Sequence, residues 1–307
     1  MTPAVQIENV TKRFGEHTAV NNLSLTVPAN SVYGFIGPNG SGKTTTLRMI
    51  MRIYHPDEGR VVVLGEDRLG AANDLVGYLP EDRGLYKSMK VRDVLKFYSE
   101  LKGHTDCDSD IDDWLERLDL ADSAKQKVET LSKGMYQRVQ FIAAVIARPK
   151  LVLLDEPFSG LDPVNALVLR KAIKDLRTQH GATIIFSTHN MKDAEELCDY
   201  IFMIYKGNKV LDGTLKQIQA TYPLDTVKVK IEGDELTLRG LPGVIDVKNT
   251  GVLTELRIDR NADTQRLLST LASKARVTHF EVANPTLHDI FIRIARPESN
   301  GSETEHA

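Results

Sequence analysis

Cysteine is scarce in this sequence of 307 residues: only Cys107 and Cys198 occur, far apart and without metal-ligand spacing. That excludes a disulfide framework and a cysteine-built zinc site, and it fits a reducing cytosol. A charge surplus is missing as well. Lys plus Arg number 39 against 42 Asp plus Glu, a net charge of −3. This gives no electrostatic footprint for general nucleic-acid binding, although a local basic patch is left open. No apolar run approaches the ~18 to 20 residues that a membrane-spanning helix needs; residues 141–147 and 200–205 are among the longest. Met1 is followed almost at once by the alternating residues 5–10, with neither the basic n-region nor the apolar h-region of a secretory signal. Any membrane role is therefore expected to come through a partner. The length suffices for a sizeable core and suggests about two domains.

What the sequence does have is organised around residues 37–45, Gly37-Pro38-Asn39-Gly40-Ser41-Gly42-Lys43-Thr44-Thr45. They fit the phosphate-loop pattern G-x-x-x-x-G-K-[ST]. The β-branched and aromatic residues of 31–36 read as a buried strand before the loop, and Leu47, Ile50 and Met51 fall at helical spacing after it. Glycines let the backbone turn its N–H groups around phosphate oxygens, and the helix N-terminus adds positive potential. Lys43 would reach the outer phosphates and the Thr44 hydroxyl would ligate Mg²⁺. The bare pattern arises by chance in roughly one chain of this length in a hundred, and the strand and helix around it lower that further.

Upstream, residues 5–10, 19–20 and 23–27 alternate as half-buried strands, with Phe14 expected in a hairpin turn. An aromatic there could stack on a nucleotide base; from the residue alone it could equally be a loop Phe tucked into the core. Residues 59–64 and 75–79 read as buried strands, and residues 82–148 as helices. Ser132 can cap the helix that stops before Pro149, and with Gly134 it would leave the cap open to an anion, a plain cap being the simpler reading. Residues 150–155 form an apolar strand ending in Asp155 and Glu156, at the edge where α/β sheets hold ligands. Two acids there are costly without a cation: Asp155 would hold Mg²⁺ through water and Glu156 would deprotonate an attacking water. A turn at 159–162 and a helix from Pro163 follow, and the strand 183–188 delivers His189 to the same edge, within reach of a γ-phosphate.

In this order the motifs resemble the nucleotide-binding subunit of an ABC (ATP-binding cassette) transporter, over residues 5–219. The resemblance implies a P-loop ATPase core of α/β class, with an antiparallel β subdomain and a helical subdomain at about 82–148. It assigns Phe14 to adenine stacking, residues 37–45 to Walker A, Ser132 and Gly134 to the signature motif, Asp155 to Walker B, Glu156 to the catalytic glutamate, residues 159–162 to the D-loop and His189 to the switch histidine. Two departures stand out. The usual LSGGQ signature reads LSKGM here, and the usual Q-loop Gln is replaced by Glu81. A carboxylate can still ligate Mg²⁺ but cannot donate a hydrogen bond as an amide does.

After residue 219 the composition shifts. Alternation at 227–231, a strand pair at 244–247 and 253–258, a helix at 263–273, a strand at 277–282 and a final helix lined by Leu287, Ile290, Phe291 and Ile294 predict a small α+β domain. It resembles the C-terminal domain of bacterial ABC exporter ATPases of sodium-extrusion and drug-resistance type, whose ends read much like residues 285–292. The expected organisation is an ATPase domain at 1–222, the small domain at 223–297 and a disordered tail at 298–307. The resemblance further implies ATP and Mg²⁺ as cofactors, a homodimer or heterodimer of cassettes, and an integral membrane permease that holds the chain at the inner face of the membrane. No nucleic acid is expected. Leu85, Tyr86 and Met89 are candidates for docking that permease, or for anchoring their own loop. A soluble ABC ATPase of translation or DNA repair is the alternative; such proteins usually carry two cassettes, a long coiled coil or a zinc insertion, all missing here. A binding-only cassette is disfavoured by Lys43, Glu156 and His189.

Overall fold

The structure, a computed structural model, describes residues 2–67, 73–81, 84–222, 225–232, 238, 240–249, 251, 253–259 and 261–295. The chain divides into two compact units between Leu215 and Lys216.

The first unit is built on a six-stranded sheet. Its elements in chain order are β1 (Val5–Phe14), β2 (His17–Val27), β3 (Val32–Ile36), α1 (Lys43–Ile50), β4 (Glu58–Val63), β5 (Val76–Leu79), α2 (Val91–Leu101), α3 (Asp108–Arg117), α4 (Lys133–Val145), β6 (Leu151–Asp155), α5 (Pro163–His180), β7 (Thr183–Thr188), α6 (Met191–Leu197), β8 (Tyr200–Tyr205) and β9 (Asn208–Gly213). The large sheet runs β5-β6-β7-β3-β8-β9, parallel except for β9. Strands β3, β6 and β7 are buried along their whole length, as expected of parallel strands covered on both faces. Their C-terminal ends deliver Gly37, Glu156 and His189 to one edge.

A second, antiparallel sheet has the order β2-β1-β4. Its inner face, with Val5, Ile7, Leu23 and Leu25, shares a core with Leu47 of α1 and Phe35 and Phe202 of the large sheet. Here the sequence reading needs two corrections. Residues 59–64 read as a buried strand, whereas β4 leaves Glu58, Gly59 and Arg60 exposed as a sheet edge. Phe14 is not in a turn but ends β1, which continues past Asn9 because a left-handed residue there (φ 48°) lets the strand bulge and re-pair.

Helices α2 to α4 share the other main core, with Val94, Trp114, Phe141 and Ile142 packed against Leu154 and Phe186 of the sheet. Leu85 is buried in this core and Met89 packs against it, so both anchor their own segment; Tyr86 stays exposed.

The second unit holds β10 (Thr226–Glu232), β11 (Val244–Asn249), β12 (Thr254–Ile258), α8 (Thr264–Lys274), β13 (Arg276–Ala283) and α9 (Leu287–Ala295), with α7 (Leu215–Ala220) across the division. The sheet is antiparallel in the order β11-β12-β10-β13. Val227, Val229 and Leu256 pack on Leu267 and Leu271 of α8, which Asp263 caps by accepting from Gln265 and Arg266 N–H groups. The tail expected after residue 297 lies outside the described residues.

Candidate functional site

β3 ends at Ile36 and α1 begins at Lys43, so residues 37–42 form the loop between them. Gly37 (φ 154°) and Gly42 (φ 111°) hold positions where other backbone leaves no room for a side chain. A Cβ on Gly37 would run into the Ile204 carbonyl oxygen, and one on Gly42 would lie 2.5 Å from that of Ala19. The first-turn amides of α1 lack intrahelical acceptors, and no acidic side chain occupies that turn, so the helix end stays attractive to an anion. The buried Lys43 ammonium donates to the carbonyls of Gly37 (2.8 Å) and Pro38 (3.2 Å) and lies 3.5 Å from Glu156 Oε1.

Strand β6 supplies the acids. Asp155, 1% exposed, accepts at Oδ1 from the hydroxyls of Ser187 (2.6 Å) and Thr44 (3.2 Å). Glu156 follows with a left-handed backbone (φ 49°), a strained conformation for a residue with a side chain. Its N–H donates to Ser187 Oγ at 2.9 Å, and its Oε2 lies 3.0 Å from His189 Nδ1. Among the described residues Ser41 Oγ and Asp155 Oδ2 are buried without a hydrogen-bond partner, which is costly unless a ligand satisfies them, while Glu156 Oε1 has the Lys43 ammonium at 3.5 Å. Thr44 and Asp155 form a hard-oxygen pair that suits a small divalent cation completing its shell with phosphate oxygens and water. Among the described residues no group of three or more His, Cys, Asp or Glu side chains is gathered for a metal.

Lys43, Thr44 and Glu156 border an open cleft of about 470 Å³, lined by residues 39–45 together with Phe14, His17, Ala19, Glu81 and Glu156. Phe14, 44% exposed, rests its ring edge-on against Tyr54 at 5.3 Å, with Lys12 Nζ 5.5 Å from its centroid. Its outer surface is thus available to a flat ligand in the same cleft as the phosphate loop. Glu81, two residues beyond β5, is an exposed part of the lining.

Ser132 and Gly134 are elsewhere. Neither lines that cleft. Ser132 caps α4, its exposed hydroxyl accepting from Met135 N at 3.3 Å. The segment is held instead against residues that follow Glu156: Gln137 Nε2 donates to the Pro157 carbonyl at 3.2 Å, a Cβ on Gly134 would meet Asn165 at 2.9 Å, and the Lys133 side chain covers Gly160. Neither Gln137 nor Ser187 stands out in the sequence. Gln137 carries no signal beyond its helix, while Ser187 could have been suspected as a hydroxyl near the end of an apolar strand.

A family profile described as ABC transporter matches residues 20–159. A second, described as ATP-binding protein DrrA1-3-like, C-terminal domain, matches residues 213–295. The chain is 40% identical to the uncharacterized ABC transporter ATP-binding protein YhaQ of Bacillus subtilis, over 93% of this chain and 96% of that protein. It is 32% identical to the Nod factor export ATP-binding protein I of Burkholderia lata, over 96% and 97%. Among solved structures, an ATP-binding subunit of an ABC transporter superposes with a TM-score of 0.66 at 25% identity, covering 71% of this chain and 92% of that one.

Proposed function

The chain belongs to the ABC transporter family as an ATP-binding subunit that hydrolyses ATP to power transport, and from that premise we propose that it drives an export permease through a nucleotide site shared between two cassettes. The convergence of Lys43, Thr44, Asp155, Glu156 and His189 at one sheet edge carries this reading. Phe14 stacks the adenine. Residues 37–45 and the α1 N-terminus cradle the phosphates, with Lys43 leaving its loop carbonyls for phosphate oxygens. Thr44 and Asp155 would hold Mg²⁺, with Glu81 a further carboxylate in the lining of the same cleft; bound there, the cation would neutralise phosphate charge. Glu156 takes the proton of the attacking water, and His189 holds its second oxygen.

The distance of Ser132 and Gly134 from the cleft favours two chains, each completing the partner's site with its signature segment. Export is supported by the relative named for Nod factor export. Among the described residues no helix is long and apolar enough to cross a membrane; in the proposed reading a separate permease carries the translocation path and holds this chain at the membrane's inner face. The test is ATP hydrolysis by the chain isolated together with its membrane partner. Hydrolysis abolished by Lys43→Ala supports the reading; an unaltered rate overturns it.

A further inference from the structure

We infer that Ser187 is a positioning residue that sets the geometry of both acids of the ATP site, an inference that rests on the assignment of Asp155 and Glu156 above. β6 and β7 are parallel neighbours, and Asp155 pairs with Ser187 in their register. The two side chains therefore stand on the same face at the ends of adjacent strands. Ser187 is fully buried, and its hydroxyl has one hydrogen to give. That hydrogen goes to Asp155 Oδ1 at 2.6 Å, while the oxygen accepts the Glu156 N–H at 2.9 Å.

Two consequences follow from this bridge. Thr44 also donates to Asp155 Oδ1, so two hydroxyls fall on one carboxylate oxygen, and among the described residues Oδ2 has no hydrogen-bond partner. Ser187 thereby selects which Asp155 oxygen is presented to a cation. The second consequence concerns Glu156. A left-handed backbone persists at a residue with a side chain only when its surroundings over-determine it. The Ser187 bond on its N–H and the Ser159 N–H on its carbonyl, at 3.1 Å, fix it from both sides. One hydroxyl thus ties the cation-holding acid to the base beside it. A plain buried serine in a strand would need only one of these bonds.

The experiment compares Ser187→Ala, which removes the hydroxyl, with Ser187→Cys, which nearly keeps its volume but donates weakly. Three quantities are read on the full chain: ATP affinity in EDTA, Mn²⁺ half-saturation of the ATP-bound protein by electron paramagnetic resonance, and kcat with Mg²⁺. Partners of this kind behind a metal ligand typically change metal affinity or activity by about 10- to 100-fold. We expect cation-free ATP affinity within twofold of wild type, Mn²⁺ half-saturation raised and kcat lowered by that range in the alanine variant, and intermediate values for cysteine. A structural role alone would weaken all three together or none. Half-saturation and kcat within twofold of wild type in the folded variants overturn the proposal, and the cysteine variant decides alone where alanine fails to bind ATP in EDTA. Glu156→Gln measured in parallel separates the two readings. Its hydrolysing normally would sink the site assignment itself, whereas an inert Glu156→Gln beside a normal Ser187→Ala would sink only the role of Ser187.

Discussion

His189 Nδ1 lies 3.0 Å from Glu156 Oε2, and the imidazole is 57% exposed while the carboxylate is buried. A carboxylate oxygen accepts, so Nδ1 carries the hydrogen. The histidine is therefore placed to act through Glu156. Removing Glu156 as base should lower hydrolysis by about 10²- to 10⁴-fold. His189→Ala alone should lower it too, because the carboxylate loses the donor that orients it. Groups that act as a unit are non-additive, so His189→Ala combined with Glu156→Gln should fall within about threefold of Glu156→Gln alone. Fully multiplying losses in single-turnover assays would instead place His189 on the phosphate independently.

A stability prediction concerns the strand that feeds the loop. Tyr33 of β3 is buried, and its hydroxyl donates to Asp212 Oδ1 of β9 at 2.5 Å. Burial, and then the Asp212 carboxylate, push its pKa far above the usual tyrosine value. Above about pH 10, where an unfolded tyrosine loses its proton, the native state binds more protons than the unfolded one, so stability falls as pH rises. The stabilisation is whole below that pH, and the loss from this group approaches about 1.4 kcal/mol per pH unit above it. Denaturant unfolding between pH 9 and 11 should show Tyr33→Phe losing less stability across the range than wild type. Equal slopes would refute it.

The parts of this site written in contiguous residues were legible in the sequence. The phosphate loop combines a glycine pattern, a buried strand and a helical period within about twenty residues, and β6 announces itself by an apolar run ending in two acids. What escaped depends on pairing between distant segments. β2 reads as two pieces around Asn21 and Asn22 because two adjacent polar residues break the alternation; Asn22, at φ 44°, absorbs a bulge and the strand continues. Ser187 acquires its role only from the register that sets it opposite Asp155. Leu85 and Met89 have the composition of a docking patch, but whether an apolar side chain faces inward or outward is decided by α4, which brings the Tyr136 hydroxyl to within 2.9 Å of the Leu85 N–H.

The separation of Ser132 from the cleft yields a complementation test. A Ser132→Arg chain and a Lys43→Ala chain should each be inactive alone. In a mixed dimer one shared site carries both lesions and the other carries neither. ATPase activity should therefore partly return on mixing, toward half the wild-type rate per dimer if the sites work independently. Mixed dimers that form, by mass spectrometry, yet hydrolyse no ATP would exclude independent sites shared in trans.

The last prediction locates the permease contact. Tyr86 is 54% exposed and meets Phe97 of α2 at right angles, 5.4 Å between centroids, with Tyr98 6.4 Å away. Leu101, one turn along α2 from Phe97, is exposed as well. Exposed aromatic residues grouped in this way are characteristic of interface centres, where ring area becomes binding energy at little entropic cost. The ring of Tyr86 lies outside the buried core, so replacing it should leave the fold and the phosphate loop untouched. Tyr86→Asp would put an unpaired carboxylate into the contact, at a cost of roughly 2 to 5 kcal/mol. Tagged chain recovered from detergent-solubilised membranes of its source cell should carry a polytopic membrane protein, and the Tyr86→Asp chain should recover far less of it while binding ATP normally. Phe97→Asp should act in the same direction, because the two rings form one surface. Undiminished recovery with both variants would move the contact off this face, and recovery of ribosomes or DNA in place of a membrane protein would overturn the permease partnership.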